Sequence, residues 1–407
     1  MHFADTHFGV ETYGRLDPAT GLSTRLIDFR ETLCRGIDSA LERGIDVALF
    51  AGDAYKSRDP SQTHQREFAL CIRRLTEQGV PVVMLTGNHD VPNVRGRAHA
   101  MEIYRTLGVQ DVNILHKPGV LKLDTKAGVL QVAGMPFLMK GFILAREDCA
   151  GKTAAEVREK MEEKYGEHIE ALVAQLDPSL PTVLIGHFWV RDSRLSDWQK
   201  GYFHINEPQV DRALLARSDL FDYVALGHIH RHQDLNNRKK PPIVYAGSPD
   251  CIDFGERSEK KGYVYIKLEK GSADFEFVPI DGRRELIEIE VDADDDTPTE
   301  TILREIERRD LRENIVRLTY RISSVRLPLV REKEIRDALA PAYMIVAVRR
   351  EIIRDETARS ALLTESLEPL PALELYLDER NTPGERKSEL LRYALGLIDE
   401  MNRELAA

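Results

Sequence analysis

The chain has 407 residues, of which 42% are hydrophobic and 31% charged, and its formal net charge is −11. Because single cores rarely exceed roughly 250–300 residues, this length predicts two or more domains. The acidic balance excludes a protein that holds nucleic acid by overall basicity, although a local basic surface is compatible with it. No apolar run reaches the ~20 residues of a membrane helix and no secretion signal is visible, so we expect a cytoplasmic protein without membrane contact. The four cysteines are scattered and are expected to be free thiols.

Over residues 1 to about 280, short apolar strands alternate with polar clusters and helices. This alternation indicates an α/β sandwich whose strands are buried on both faces. Strands are predicted at 1–4, 47–50, 80–85, 182–185 and 223–226, and helices at 28–43, 61–77 and 153–175. Thr153 and Glu156 have the spacing of a capping box at the start of the last of these helices.

The pattern changes near residue 283. Strands at 286–291, 315–322 and 343–350, with helices at 297–309 and 332–339, predict a small β-α-β-α-β unit. Thr297 and Glu300 again have capping-box spacing. We therefore expect a first domain at 1–282, a capping domain at 283–352, and a tail at 353–407. The tail combines a linker containing Pro369 and Pro371 with an amphipathic helix at 384–405.

Five polar clusters follow the predicted strands of the first domain. They are Asp5-Thr-His7, Gly52-Asp53, Gly87-Asn-His-Asp90, Gly186-His187 and Gly227-His-Ile-His230. The carboxyl ends of strands in an open α/β sheet lie at one edge, so we expect these clusters to converge there. Glycine at the strand ends permits the sharp turns that such convergence needs.

Imidazoles and carboxylates suit Mn²⁺, Fe²⁺ or Zn²⁺, and the absence of thiolates in the clusters disfavours a structural zinc site. Two carboxylates, one amide and four imidazoles make seven candidate ligands, which suits two ions that share a carboxylate. Such a pair clamps a phosphate and turns a bridging water into the attacking hydroxide. A histidine beside the ions would give the leaving oxygen its proton. We expect two divalent cations, Mn²⁺ above others.

The order of these clusters resembles that of the calcineurin-like metallophosphoesterases. Residues 52–61 and 245–262 are similar to the SbcD branch of this superfamily, whose archaeal and eukaryotic counterparts are nuclease subunits of double-strand-break repair complexes. The second stretch contains Phe254-Gly-Glu256 and Lys260-Lys-Gly262. The resemblance covers residues 1 to about 265. It implies a β-sandwich flanked by helices, with a small α/β capping domain and a C-terminal helical tail after it.

The resemblance also implies a role for each motif residue. One metal would be held by Asp5, His7 and His230, the other by Asn88, His187 and His228, and Asp53 would bridge both. His89 would be the proton donor. Asp90 would orient His89, or instead cap the following helix. Some relatives have a second catalytic histidine where this chain has Lys56, which would contact substrate phosphate or remain solvated.

Basic residues near the clusters are predicted to contact the DNA backbone, which positions DNA without reading its sequence. These residues are Lys56, Arg95, Arg97, Lys239 and Lys240. Ordinary solvated surface is the competing interpretation for each of them. Among the remaining histidines, which we interpret as structural or solvated, His204 and His232 are the candidates for substrate contact.

Two surfaces are predicted to bind protein partners. In the family, the C-terminal helix docks on the coiled-coil base of an SbcC-type ABC ATPase, although packing on its own chain is an alternative. The helices near 61–77 and 95–107 form a homodimer contact in the family, and core packing is the alternative there. The apolar residues that suggest this contact are Phe68, Ile72, Leu75, Met101, Tyr104 and Leu107.

The resemblance implies a Mn²⁺-dependent DNA nuclease, exonucleolytic on duplex ends and endonucleolytic on single strands and hairpins. Any use of ATP would belong to its partner, because this chain has no G-x-x-x-x-G-K-[ST] loop. The alternatives are a phosphodiesterase or phosphatase acting on a small molecule or phosphoprotein, and a scaffold that has lost its metals. The residues that follow Asp53 and the presence of Asp90 argue against a protein phosphatase, and seven filled ligand positions argue against a scaffold.

Overall fold

The computed structural model describes residues 1–94, 96–201, 207–353, 369–380 and 382–405. The strands within these residues are β1 His2–Phe3, β2 Ala48–Phe50, β3 Val82–Leu85, β4 Val112–Leu115, β5 Gly119–Thr125, β6 Gly128–Met135, β7 Thr182–His187, β8 Trp189–Val190, β9 Gln209–Val210, β10 Tyr223–Gly227, β11 Gln233–Asp234, β12 Ile243–Tyr245, β13 Gly262–Glu269, β14 Ser272–Pro279, β15 Leu286–Asp292, β16 Ile315–Ser323 and β17 Met344–Ile353. The helices are α1 Thr24–Glu42, α2 Gln62–Thr76, α3 Glu102–Thr106, α4 Lys140–Ile143, α5 Arg146–Cys149, α6 Ala154–Val173, α7 Asp197–Lys200, α8 Pro298–Glu307, α9 Glu332–Leu339, α10 Pro369–Glu379 and α11 Gly384–Leu405.

Two six-stranded sheets form the body of the molecule. The first has the order β14-β13-β1-β2-β3-β4 and the second β11-β12-β10-β7-β6-β5. Strands β1 to β4 are parallel to one another, as are β6, β7, β10 and β12, and the remaining strands of the two sheets, β5, β11, β13 and β14, are antiparallel to their neighbours. The parallel centre of each sheet places the carboxyl ends of its strands at one edge.

The two sheets pack face to face over a shared apolar core, with Leu49, Val83, Val183 and Ala225 among its residues. Helices α1 and α2 cover the outer face of the first sheet, and α6 covers that of the second. Burial on both faces explains why these strands are almost wholly apolar. The α/β sandwich flanked by helices that the sequence predicts is therefore confirmed.

A small unit follows the sandwich. Strands β15, β16 and β17 form a parallel sheet, connected through α8 and α9, and this unit has its own apolar core around Ile302, Leu318 and Ile335. The β-α-β-α-β order that the sequence predicts over residues 283–352 is the order found. A smaller cluster of Cys251, Phe254, Leu286 and Ile315 joins this unit to the sandwich.

The two predicted capping boxes differ in outcome. Thr153 accepts a hydrogen bond from the Glu156 N–H, and the Glu156 carboxylate accepts one from the Thr153 N–H, so that box is formed. The Thr297 side chain makes no capping bond to α8, and Glu300 pairs with Arg331 instead. The second capping-box prediction is therefore wrong.

Several elements lie outside the sequence-based expectations. The strands from β4 to β6 and the β13–β14 hairpin were not predicted, because their alternating or mixed patterns are weaker than those of the buried central strands. Part of the expected linker is the helix α10, which begins at Pro369. Proline is compatible with a first helical turn, where its missing N–H has no helical partner. The remaining linker, residues 354–368, lies outside the described residues.

The four cysteines are free in the structure. Among the described residues, no helix combines the length and the apolar character that a membrane crossing requires.

Candidate metal centre

The five polar clusters meet at the carboxyl edges of the two sheets. Asp5 lies just after β1, Asp53 just after β2, and Asn88 just after β3, all in the first sheet. His187 ends β7 and His228 follows β10 in the second sheet, which faces the first. The seven side chains that the sequence singles out as ligands are therefore brought together across the top of the sandwich.

One group of donors consists of Asp5, His7 and His230. Their ligand atoms lie within 4.8 Å of one another, and all three side chains are buried. The two Nε2 atoms of His7 and His230 are 3.0 Å apart. This is the same trio that the resemblance assigns to one metal.

A second group consists of Asp53, His187 and His228, again with ligand atoms within 4.8 Å of one another. Asn88 belongs to the same group, because its Oδ1 is 3.1 Å from His187 Nε2 and 3.0 Å from His228 Nδ1. Asp53 Oδ2 lies 3.3 Å from His187 Nε2 and 3.7 Å from His7 Nε2. The Asp53 carboxylate thus lies between the two groups.

Hydrogen bonds orient three of the four histidines. His187 Nδ1 donates to the Ala51 carbonyl at 2.7 Å, which leaves Nε2 turned toward Asp53 and Asn88. His230 Nδ1 is 2.7 Å from the Glu256 carboxylate, and His228 Nε2 is 2.6 Å from that of Glu207. In each ring the second nitrogen faces the centre of the site. This is the arrangement that prepares imidazole as a metal ligand.

The pKa values of the donor side chains indicate that the site favours bound positive charge. Burial opposes charge on Asp53, but His187, His89 and His7 hold the pKa of its carboxyl well below the usual value. Burial alone would lower the pKa of His187, yet Asp53 and Asp5 raise it to about 9. Burial lowers the pKa of His7 and raises that of Asp5. The donor set therefore fits two divalent cations, whose charge would balance the buried carboxylates and occupy the lone pairs of the facing imidazoles.

The backbone is strained where it presents these donors. Asp5, His7, Asp53 and His228 all have positive φ, at 55°, 43°, 59° and 93°. Such conformations cost of order 1–3 kcal/mol for residues with a Cβ and persist only when the surroundings hold them. Gly87 has a different reason to be glycine, since a Cβ there would lie 2.1 Å from Asp53 Oδ1. The strained residues are themselves donors, which indicates that the loop conformations serve to orient the donor side chains.

His89 lies beside the first group. The His89 ring centroid is 4.9 Å from that of His7, and the His89 backbone N–H donates to Asp53 Oδ1 at 2.9 Å. Its Nδ1 is 2.7 Å from the Lys56 carbonyl oxygen. Because a carbonyl only accepts, Nδ1 carries the hydrogen of that bond, and Nε2 is the nitrogen left to exchange a proton with substrate.

Asp90 is placed differently from the expectation that it orients His89. Its carboxylate accepts hydrogen bonds from the N–H groups of Gly87, Asp53 and Ala54, at 2.8 to 3.0 Å. Burial and the neighbouring Asp53 carboxylate raise the pKa of Asp90 to about 7, although the bonds from the Gly87 and Asp53 N–H groups oppose this rise. Asp90 therefore ties the loops after β2 and β3 together, and the orientation of the His89 ring comes from Lys56.

The basic residues predicted to contact DNA do not all lie in the same part of the structure. The Lys56 side chain is exposed, and Arg97 pairs with Asp59 at 2.5 Å on the surface. Arg95 and His204 lie outside the described residues. His232 bonds the Tyr245 carbonyl and stacks on Phe277, which accounts for it structurally.

Lys239 and Lys240 lie away from the site. Lys240 Nζ donates to the carbonyl of Gly271, in the turn between β13 and β14. Since β13 runs antiparallel to β1 from the site edge, its eight residues carry that turn roughly 23 Å from the edge at the usual strand rise. This distance removes the reason for placing the two lysines beside the metal centre.

Four supporting residues were not singled out as site residues by the sequence analysis. Glu207 and Glu256 bond His228 and His230, and Lys261 donates to Glu256 at 2.9 Å. Gln199 bonds the backbone of both His228 and His230. Glu256 and Lys261 belong to the stretches that resemble the SbcD branch, so a signal for them was present. Glu207 and Gln199 have no such motif.

The fold and these two donor groups define a metal-dependent phosphoesterase. The chain belongs to the calcineurin-like phosphoesterase family, which matches it over residues 1–232.

Particular relatives are similar over more of the chain. The DNA double-strand break repair protein Mre11 of Thermoplasma acidophilum is 27% identical over 300 residues, covering 72% of this chain and 68% of its own. The SbcD component of the nuclease SbcCD of Staphylococcus epidermidis is 26% identical over 302 residues, covering 72% of this chain and 73% of its own. Among solved structures, a dimetal phosphatase from Danio rerio aligns with 68% of this chain and 97% of its own, at 9% identity and a TM-score of 0.36.

Proposed function

We propose that this chain is a Mn²⁺-dependent DNA nuclease that hydrolyses phosphodiester bonds at a two-metal centre. The observation that carries the proposal is the pair of donor groups sharing the Asp53 carboxylate, with His89 beside them. The two relatives named for nuclease and break-repair activity support DNA as the substrate.

In the proposed reaction, the bound cations, His89 and Lys56 have different roles. When bound, two divalent cations supply Lewis acidity and water activation at the phosphate. His89 supplies the proton for the leaving oxygen from Nε2 when its ring is the doubly protonated imidazolium, since the Nδ1 hydrogen stays bonded to the Lys56 carbonyl. The bond from the His89 backbone N–H to Asp53 holds the His89 backbone beside the Asp53 carboxylate. Lys56, which stands where some relatives have a second histidine, acts in this scheme through its backbone and leaves its exposed side chain for phosphate.

The DNA path over the site would use Lys56, Arg95 and Arg97, with the phosphate backbone as the recognised feature. The substrates proposed are duplex ends, single strands and hairpins. We propose a cytoplasmic location for this activity.

An ABC ATPase of the SbcC type is the proposed partner, bound through α11. Lys387 ties α11 to α10 through Asp378 and Glu374, at 2.6 and 3.2 Å. Tyr393, at 71% exposure, and Leu397, at 47%, lie on the part of α11 left open to solvent. The second domain at 283–352 would act as a cap over the DNA path.

Homodimerisation is proposed through a smaller surface than the sequence indicated. Phe68, Ile72, Leu75, Met101 and Tyr104 are buried within their own chain, which agrees with the core-packing alternative for those five. Leu107 is 71% exposed, and Ile103 and Val109 beside it are 48% and 37% exposed. These three residues are the apolar surface that a second copy would cover.

The test is Mn²⁺-dependent nucleotide release from linear duplex DNA, measured beside hydrolysis of a p-nitrophenyl ester. We expect wild-type protein to degrade DNA, and His89→Ala to lose roughly 10²–10⁴-fold in rate while still binding manganese. Asp53→Asn should lose manganese binding as well, as measured by calorimetry. Wild-type protein that hydrolyses the ester but leaves DNA intact would overturn the nuclease assignment in favour of a small-molecule phosphodiesterase.

A further inference from the structure

A pocket of about 460 Å³ opens beside the second donor group. We call it the side pocket and define it by Arg58, Phe137, Met139, Lys140, Arg158 and Met161, which are among the residues that line it. None of these residues belongs to the metal-binding clusters, and of them only Arg58 lies in a stretch that resembles the SbcD branch. The volume lies within the 300–1,000 Å³ that is usual for sites of small organic ligands.

The side pocket shares a wall with the metal centre. The Phe137 ring lies 6.0 Å from the ring of His228, centroid to centroid. Arg58 Nε donates to the Asn88 carbonyl at 3.1 Å. Pro208, which also lines the pocket, follows Glu207, whose carboxylate bonds His228. A ligand in the pocket would thus be in contact with the supports of the second donor group.

The lining combines two kinds of surface. Phe137, Met139 and Met161 offer an aromatic ring and two polarizable thioethers, which favour contact with a flat aromatic group. Arg58, Lys140 and Arg158 add three cations, of which Lys140 is exposed and Arg158 is 3.7 Å from the Glu162 carboxylate. An apolar surface with cations around it matches a nucleobase that remains joined to its phosphates.

We propose that the side pocket receives the base of an unpaired nucleotide next to the scissile phosphate. This inference rests on the proposed nuclease function and specifies its substrate. A base must leave the duplex stack to enter such a pocket, which costs a few kcal/mol in paired DNA and least where the nucleotide is already unpaired. The pocket therefore favours single strands, frayed ends and hairpin loops over blunt, fully paired ends. Phe137 provides the stacking surface, and Lys140 contacts a flanking phosphate.

The first experiment removes the stacking surface and compares two substrates. Phe137→Ala should raise the KM for a single-stranded oligonucleotide about 5- to 150-fold, the range that loss of one stacked base produces. Hydrolysis of bis(p-nitrophenyl) phosphate, which has no nucleobase, should change less than about twofold. Phe137→Tyr keeps an aromatic ring and should restore the oligonucleotide KM. Equal losses on both substrates would show that Phe137 only supports the metal centre, and would overturn the proposal, as would no loss on either.

A second measurement reports stacking without turnover. An oligonucleotide with an unpaired terminal 2-aminopurine, bound in EDTA, should lose fluorescence on wild-type protein and keep it on Phe137→Ala. Equal quenching by the two proteins would place the base elsewhere.

The charged rim is tested through salt dependence. Lys140→Ala should reduce the slope of log binding constant against log salt by about 1, whereas Lys267→Ala, the same charge change at an exposed residue of β13, should leave it unchanged. Equal slopes for the two variants would remove Lys140 from the proposal. Failure of the nuclease function itself is a separate result, because it would show as wild-type protein that cleaves the p-nitrophenyl ester but not DNA.

Discussion

Side chains that never touch substrate decide how the donors of this site are held. Glu256 is completely buried, and its carboxylate bonds His230 Nδ1 on one side and Lys261 on the other. Burial opposes charge on Glu256, but Lys261 and His230 hold the pKa of its carboxyl far below the usual value. An ionised carboxylate at this position holds the hydrogen on Nδ1 and makes Nε2 the better metal ligand.

Replacing Glu256 with glutamine should therefore weaken manganese binding about 10- to 100-fold, the usual effect of losing such a supporting group. The side chain keeps its size and an amide oxygen, so the change removes chiefly the negative charge beside His230. The measurement is calorimetric titration of the variant with Mn²⁺.

Glu259→Gln is the matched control for this experiment. Glu259 also contacts Lys261, at 3.1 Å, whereas the bond to His230 Nδ1 comes from Glu256. The control variant should bind manganese as the wild-type protein does. A similar loss in both variants would mean that the charge balance of Lys261, and not the orientation of His230, governs the metal affinity.

At the scale of single elements, two identical sequence signals had different outcomes. Both α6 and α8 are preceded by a threonine that is followed three residues later by glutamate, yet only α6 has a capping box. Thr297 has φ −131° and ψ 58°, and its N–H bonds the Asp295 carboxylate. The Thr297 N–H that a capping box would use is thus bonded to the preceding acidic turn. The Glu300 carboxylate forms an ion pair with Arg331, which lies outside α8.

This difference predicts unequal effects of the same substitution. Thr153→Ala removes a formed cap and should lower the free energy of unfolding by about 1 kcal/mol. Thr297→Ala removes no capping bond from α8 and should change stability by less than about 0.5 kcal/mol. Urea unfolding of the two variants beside wild type measures both. The interpretation fails if Thr297→Ala proves the more damaging of the two.

At the scale of the whole molecule, the small C-terminal unit contacts a segment, residues 254–257, that also supports the metal centre. Arg257 pairs with Glu288 of β15 at 2.8 Å, and the Arg317 guanidinium from β16 lies 4.2 Å above the Phe254 ring. Between Phe254 and Arg257 is Glu256, which orients His230. The small C-terminal unit and the first donor group therefore both contact residues of the same short segment.

The tail provides a prediction at this scale. A chain that ends at Pro383 lacks α11, and with it the exposed Tyr393 and Leu397. We expect it to lose binding to an SbcC-type ATPase in a pull-down with the purified partner. Nuclease activity on simple linear substrates should remain, because the residues of the metal centre and the side pocket all precede the tail. Retained ATPase binding would instead show that α11 serves the packing of its own chain.

The convergence of the metal-binding clusters could be predicted from the sequence because it depends on local patterns. Each donor lies within a few residues of a buried apolar strand, and parallel strands deliver their carboxyl ends to one edge whatever the details of packing. The fold class, the helices of the sandwich and the order of the small unit follow from the same short-range patterns of apolar residues.

Features that depend on distant segments required the tertiary structure. The side pocket joins Arg58 to Arg158 across a hundred positions of chain, and the distance of Lys240 from the site follows from the direction of β13. His89 is oriented by the backbone carbonyl of Lys56. Every residue has such a carbonyl, so the residue type at position 56 could not predict this contact. Sequence alone determined which atoms are offered to the metals, because that choice is local. Only the folded chain decided what holds those atoms and what lies beside them, because contacts between remote segments leave no pattern in one sequence.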